Sequence, residues 1–259
     1  MSSSYKLIPQ MALSQQPLDL DTLSDLGFEP ELIKFLLAFI GSNHPGKQEN
    51  IYHNLDHTLE VANLFSVIIS QFGLDNKWKV LGFLAGLLHD LDPERVPNTP
   101  PSVERTIQYL ENNSEIKAII DHLCAVFGFT PKQTYTLILA TDYSPNPPER
   151  KSKWGKFVSE CEIHFDKRDV YTAKSLGEIL AYADKSATYI QPIDVVVKRI
   201  KGLALELRTV NDSQHPTDKE MLNGTVRFLQ DEVYNIDLCG YLPPEYQEIF
   251  RQTLDFFIR

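Results

Sequence analysis

The chain has 259 residues, 42% hydrophobic and 23% charged, which excludes a disordered or fibrous protein and leaves room for one large core. Lys and Arg total 25 against 35 Asp and Glu, a formal charge of -10, so long nucleic acid is excluded as the main partner. The same field disfavours small phosphorylated ligands too, unless something local reverses its sign.

In chain order, helical periodicity recurs almost throughout. The first amphipathic stretch runs from about Glu31 to Ile40, after Glu29-Pro30 and before Gly41, Ser42 and Asn43. A second begins near Asn54 and ends at Gly73, with His57, Val61, Leu64, Ile68 and Phe72 on one face. The third spans about Asn76 to His89. Its side bearing Gly82, Ala85, Gly86 and His89 is made of small residues that let a neighbouring backbone come close. Further helices are expected at 102–112, 115–127, 131–142, 170–189, 192–209, 218–235 and 244–258. Two Pro-rich segments, Leu91 to Pro101 and Tyr143 to Lys153, read as irregular loops.

The pattern predicts an all-α protein: a loosely ordered tail over 1–28, then one domain over 29–259, with core helices at about 50–190 and C-terminal helices at 191–259. Cys124, Cys161 and Cys239 are far apart and odd in number, which fits a reducing compartment. Met1 to Leu20 has no basic and apolar signal pattern, and no apolar run reaches bilayer length. A cytoplasmic protein with no membrane partner is expected; the sequence leaves its oligomeric state open.

The informative feature is a set of His and Asp residues on faces that otherwise read as core. His57 heads an apolar stripe, with His53 four residues earlier. His89-Asp90 ends the run Leu81 to Leu88, and Asp184 lies on one side with Leu176, Gly177 and Leu180. A carboxylate buried there costs several kcal/mol or more unless it is paired or holds a cation. Singly, each has an ordinary explanation: a hydrogen-bonded core histidine, a turn aspartate before Pro93, an Asp184 paired with Lys185 or another helix's arginine. Together they form a mixed nitrogen and oxygen donor set suited to Mn, Mg, Fe or Zn.

The order His57, His89-Asp90, Asp184 resembles the metal signature of the HD-domain superfamily of metal-dependent phosphohydrolases. Tyr52-His53-Asn54-x-x-His57, Ile138-Leu-Ala-Thr-Asp142 and Ala183-Asp184 resemble its class I cyclic-nucleotide phosphodiesterase branch in particular. The resemblance covers about 50–190. It implies an HD-type helical bundle, with His57, His89, Asp90 and Asp184 holding one or two divalent ions and His53 donating a proton to the leaving oxygen. It departs from that branch in two places. Leu91-Asp92-Pro93-Glu94-Arg95 follows the His-Asp pair where the branch has a second His and Pro-Gly, and Thr225 stands where its purine-holding glutamine is expected.

The expected activity is hydrolysis of a small phosphate ester, a phosphomonoester, nucleotide or cyclic nucleotide, by metal-activated water. A protonated His53 needs a carboxylate partner, either Asp142 or a glutamate from elsewhere. His122, on a side shared with Ala118, Ala125, Val126 and Phe129, is a candidate for a second metal or for support of the ligands, and Asp142 for orienting a water or a ligand histidine. Arg150, Lys151, Lys153 and Lys156 form a basic cluster, a solvated face or a phosphate grip. Two other readings exist. A di-iron oxygenase would recruit His122 and His164, although His164 reads as exposed, and a catalytically silent module would bind a nucleotide or protein through the same fold.

Overall fold

The computed structural model describes residues 28–44, 50–97, 99–144, 146–210, 218–230, 240 and 242–258. Residues 1–27 of the expected tail, the part of the expected helix 218–235 beyond 230, and Cys239 lie outside the described residues. Eleven α-helices are described: α1 (Pro30–Asn43), α2 (Leu55–Ile69), α3 (Asn76–Leu88), α4 (Val103–Asn112), α5 (Ser114–Phe127), α6 (Pro131–Ile138), α7 (Pro147–His164), α8 (Val170–Ser186), α9 (Ile193–Val210), α10 (Asp218–Phe228) and α11 (Pro244–Ile258). Short 3-10 turns, Leu139–Thr141 and Ala187–Ile190, extend α6 and α8. No strand occurs among the described residues, as expected for an all-α chain. None of their helices is long and apolar enough to cross a membrane.

The helix starts follow local chemistry. Asn54 caps α2 by accepting from the His57 N–H, Ser102 caps α4, and Thr130 and Gln133 form a reciprocal capping box on α6. The segment Tyr143 to Lys153, expected as a loop, is one only as far as Asn146. Pro147 opens α7, a helix the periodicity did not signal. Proline is tolerated in a first turn because the N–H it lacks has no partner there, and its fixed φ suits the helix. The rest of α7 is polar, with Phe157 and Cys161 buried, so its apolar stripe is too thin to read as periodic.

At the centre α2, α3 and α8 pack on one another. A Cβ on Gly86 would stand 3.3 Å from Ala62 Cα and 3.4 Å from Leu180 Cδ1, so the small-residue face of α3 meets the α2 backbone, as its composition predicted. Phe28 is buried against Phe83 and Phe127. The C-terminal α9 is bound to α2 by a buried ion pair, Arg199 Nη2 to Glu60 Oε1 at 2.7 Å, with both side chains nearly inaccessible.

Two outcomes follow from these packing facts. Arg199→Ala strips a buried carboxylate of its cation and is expected to lower stability in urea denaturation by about 3–5 kcal/mol. Burial pushes the Cys124 and Cys161 thiols up to about 12, so at pH 8 both are expected to stay unlabelled by a thiol reagent until the protein is denatured, as read by mass-spectrometric mapping.

Candidate metal centre

His57 enters the centre because the Asn54 cap fixes the first turn of α2. Asn54 Nδ2 in turn donates to the Asn50 and Ile51 carbonyls at 3.1 and 3.0 Å, so the segment before the helix is tied to the side chain that starts it. His89 caps the C-terminus of α3, and its Nδ1–H donates to the Gly86 carbonyl at 2.8 Å. That bond leaves Nε2 as a lone pair pointing away from its own helix. Asp90 is the next residue, and Asp184 comes from the last turn of α8.

Four atoms converge. His57 Nε2 lies 3.1 Å from Asp184 Oδ1 and 3.8 Å from Asp90 Oδ2. His89 Nε2 lies 3.2 Å from Asp90 Oδ2 and 3.4 Å from Asp184 Oδ1. His89 Nε2 and Asp90 Oδ2 are buried and, despite their proximity, neither makes a hydrogen bond of acceptable geometry, so both are buried polar atoms that a cation could satisfy. A cation with bonds of about 2.1 Å sets neighbouring donors about 3.0 Å apart in an octahedron and about 3.4 Å apart in a tetrahedron. Donor atoms of His57, His89 and Asp184 lie within 4.8 Å of one another, as do those of His53, His57 and Asp90, so the set suits a divalent ion in chemistry and each of these overlapping trios suits one in spacing.

Without a metal, the same groups answer one another's charge. Burial opposes charge on every group, and for His57 it prevails, lowering the pKa despite Asp184 and Asp90. Burial opposes charge on His89 as well, but Asp90 and Asp184 outweigh it and raise the pKa well above the ordinary value. Burial would raise Asp90 and Asp184, yet the histidines beside them hold both below the usual carboxylate range. The centre is thus built to keep its carboxylates ionised beside positive charge.

His53 sits at the rim, its side chain 16% exposed where His57 is fully buried. Its Nδ1 bonds to Glu206 Oε2, while Glu206 Oε1 accepts from the backbone N–H groups of Tyr52 and His53 at 3.1 and 3.2 Å. Between the two carboxylates expected as partners of His53, the fold selects a glutamate, Glu206 of α9. Its only sequence signal is a lone carboxylate in the apolar stretch from Gly202 to Leu207. Gly202 makes the approach possible: a Cβ there would stand 2.5 Å from Ile51 Cγ2 and 3.2 Å from the Ile51 carbonyl carbon.

The remaining candidates are placed elsewhere. His122 lies on the exposed face of α5 together with Ala118, Ala125 and Val126, while Phe129, read as part of the same side, is buried beyond the end of the helix; alanine marks helix rather than core. It belongs to neither cluster of metal-spaced side chains among the described residues, and nor does His164, whose Nε2 pairs with Glu160 at 3.1 Å. The two histidines that a di-iron centre would recruit are thus not gathered at the site. Asp142 accepts from Lys153 Nζ at 2.7 Å and shares with Asp184 the wall of a cleft of about 350 Å³. Of the basic cluster, Arg150 and Lys151 line that cleft, whereas Lys156 pairs with Glu104 at the surface. Lys185 and Trp154 line it too, and Tyr143 carries the Arg150 guanidinium at 4.8 Å and the Lys185 ammonium at 4.6 Å from its ring centre.

No family model matches the chain, and no curated protein matches it in sequence. Solved structures match it in shape. LmjPDEB1 in complex with IBMX aligns over 95% of this chain and 86% of its own, at TM-score 0.59 and 14% identity. The phosphodiesterase domain of the Salpingoeca rosetta rhodopsin phosphodiesterase aligns over 95% and 81%, at 0.53 and 14%. The fold is that of phosphodiesterase catalytic domains, the architecture implied by the sequence resemblance.

Gly202→Ala is expected to push α9 away from Ile51, lowering stability by about 1–3 kcal/mol in urea denaturation and shifting the His53 ring signals in NMR. Gly224→Ala, where an added Cβ meets nothing within 4 Å, is the control and leaves both unchanged or stability slightly raised.

Proposed function

We propose that the protein is a metal-dependent phosphohydrolase that cleaves a small phosphate ester. The observation that carries the reading is the gathering of His57, His89, Asp90 and Asp184 donor atoms through contacts of 3.1–3.8 Å, with a carboxylate-backed histidine at the rim and a basic cleft beside them. The likeness in fold to phosphodiesterase domains supports the same reaction class.

His57, His89, Asp90 and Asp184 would hold the ion. A bound divalent cation would supply a Lewis acid for a phosphoryl oxygen and would lower the pKa of a water towards neutrality. The chain's own residues do the rest. Glu206 takes the His53 Nδ1–H and both backbone N–H groups of the turn, which orients the ring with Nε2 turned to the departing ester oxygen. His53 gives that oxygen its proton as the P–O bond breaks.

The remainder of the substrate occupies the cleft lined by Asp142, Tyr143, Arg150, Lys151, Trp154 and Lys185. Lys153 neutralises Asp142, so the cleft presents Arg150, Lys151 and Lys185 to an anion. Tyr143 and Trp154 offer apolar ring surface to an organic group.

A screen of phosphomonoesters, nucleotides and cyclic nucleotides with Mn, Mg, Fe or Zn tests the reading. His89→Ala and Asp184→Ala are expected to lose bound metal in elemental analysis together with at least about a hundredfold in activity. His53→Ala is expected to keep the metal and lose about a hundredfold or more in kcat. Full activity in His53→Ala refutes the acid role, and a wild-type protein that takes up no divalent ion refutes the centre.

A further inference from the structure

The cleft beside the centre gathers more positive charge than a single metal-held phosphate calls for. Its wall carries Arg150, Lys151 and Lys185 against two carboxylates, Asp142 and Asp184. Both acids are answered locally: Lys153 Nζ reaches Asp142 Oδ1 at 2.7 Å, and Asp184 Oδ1 meets the His57 and His89 rings at 3.1 and 3.4 Å. Glu149, beside Arg150 in the chain, accepts from Ser144 Oγ at 2.8 Å and pairs with Lys153 at 3.2 Å. Three cations therefore line one volume of about 350 Å³, an arrangement that repels itself until an anion enters.

The cations are held in place by a fixed ring. Tyr143 has the Arg150 guanidinium 4.8 Å and the Lys185 ammonium 4.6 Å from its centre, and the ring itself packs edge-on against Phe228 of α10 at 6.2 Å. Arg150 Nε donates to the Ser144 carbonyl at 3.0 Å, which sets the plane of the guanidinium fork.

This group is set apart from the metal donors along the same cleft. Asp184 and Lys185 are consecutive on α8, and consecutive side chains of a helix diverge by about 100°. Asp184 accordingly turns to His57 and His89, and Lys185 to Tyr143. The cleft has a donor end at Asp184 and a cationic end at Tyr143, and its volume suits an organic ligand rather than one lone phosphate.

We propose that the substrate is a small organic phosphate ester that carries a second phosphoryl group, bound by Arg150, Lys151 and Lys185 while the first is hydrolysed at the centre. This rests on the hydrolase reading above and adds to it the class of substrate. The guanidinium fork and the two ammonium groups match the several oxygens of a phosphoryl dianion, and Trp154 supplies ring surface to the carbon body between the two charges. A substrate with a single phosphate and a neutral remainder leaves the cationic end unanswered.

The test reads binding at the cationic end directly. The chain has two tryptophans, and Trp78 is buried against Phe165, so Trp154 is the reporter. Sulfate titrated into wild type, with and without Mn, is expected to give a saturable change in tryptophan emission that Trp154→Phe removes and that Lys185→Gln weakens at least about tenfold in Kd. In the Mn-loaded His53→Ala protein, calorimetry is expected to show adenosine 3′,5′-bisphosphate binding at least about tenfold more tightly than adenosine 5′-monophosphate, an advantage that added Lys185→Gln cuts to about threefold or less. Should Lys185→Gln fail to fold, Lys151→Gln, at an exposed position, takes its place. No saturable response to sulfate, a response that the lysine variants leave unchanged, or equal affinity for the two adenosine phosphates overturns the proposal. A protein that takes up no Mn loses the hydrolase reading instead, and the sulfate titration without Mn then decides the anion site by itself.

Discussion

Two carboxylates in a hydrocarbon interior set the terms for this molecule. Asp90 and Asp184 lie against His57 and His89 between helices whose inward faces are mostly apolar, and an ionised carboxylate in such surroundings persists only beside positive charge. The neighbouring histidines hold both acids ionised, and their donor spacing suits a divalent ion. Around them the chain gives other buried carboxylates partners: Glu60 has the buried Arg199, Asp92 the half-exposed Arg105, and Glu206 the His53 ring.

Those pairings also organise the fold. The Arg199–Glu60 contact fastens α9 to α2, and seven residues further along α9 Glu206 reaches the turn that begins α2. The Asp92–Arg105 contact fastens the Pro-rich segment to α4 and so holds Arg95 over His53. Packing permits the approaches through missing side chains: Gly86 admits the α2 backbone, and Gly202 admits Ile51. Polar and apolar contacts thus serve one arrangement.

The net charge of -10 describes the whole chain and misdescribes the cleft. Part of the negative total is spent inside, on acids that meet histidine, arginine or lysine, while Arg150, Lys151 and Lys185 gather at the cleft wall and share the face of Tyr143. An acidic exterior repels long polyanions, whereas a small anion that has entered the cleft meets cations at short range, where screening by solvent is weaker.

The sequence by itself determined the class of the fold and pointed to the four residues that the fold brings together at the candidate centre. Periodicity and capping residues mark most helices, because a helix repeats its buried face every three to four residues and Asn54, Ser102 and Thr130 announce its start. His57, His89, Asp90 and Asp184 were legible because ionisable groups on apolar faces are costly and hence conspicuous. Three features became definite only in the tertiary structure. The helix α7 has too few buried residues to show a period; His122 lies on an alanine face that composition cannot distinguish from core; and Glu206 and Arg95 gain their meaning from residues far away in the chain. Local pattern records which face of an element is buried. Which distant charge meets it depends on how helices cross, and that was decided by packing at Gly86 and Gly202 and by the ion pairs that bind α9 and the Pro-rich loop to the core.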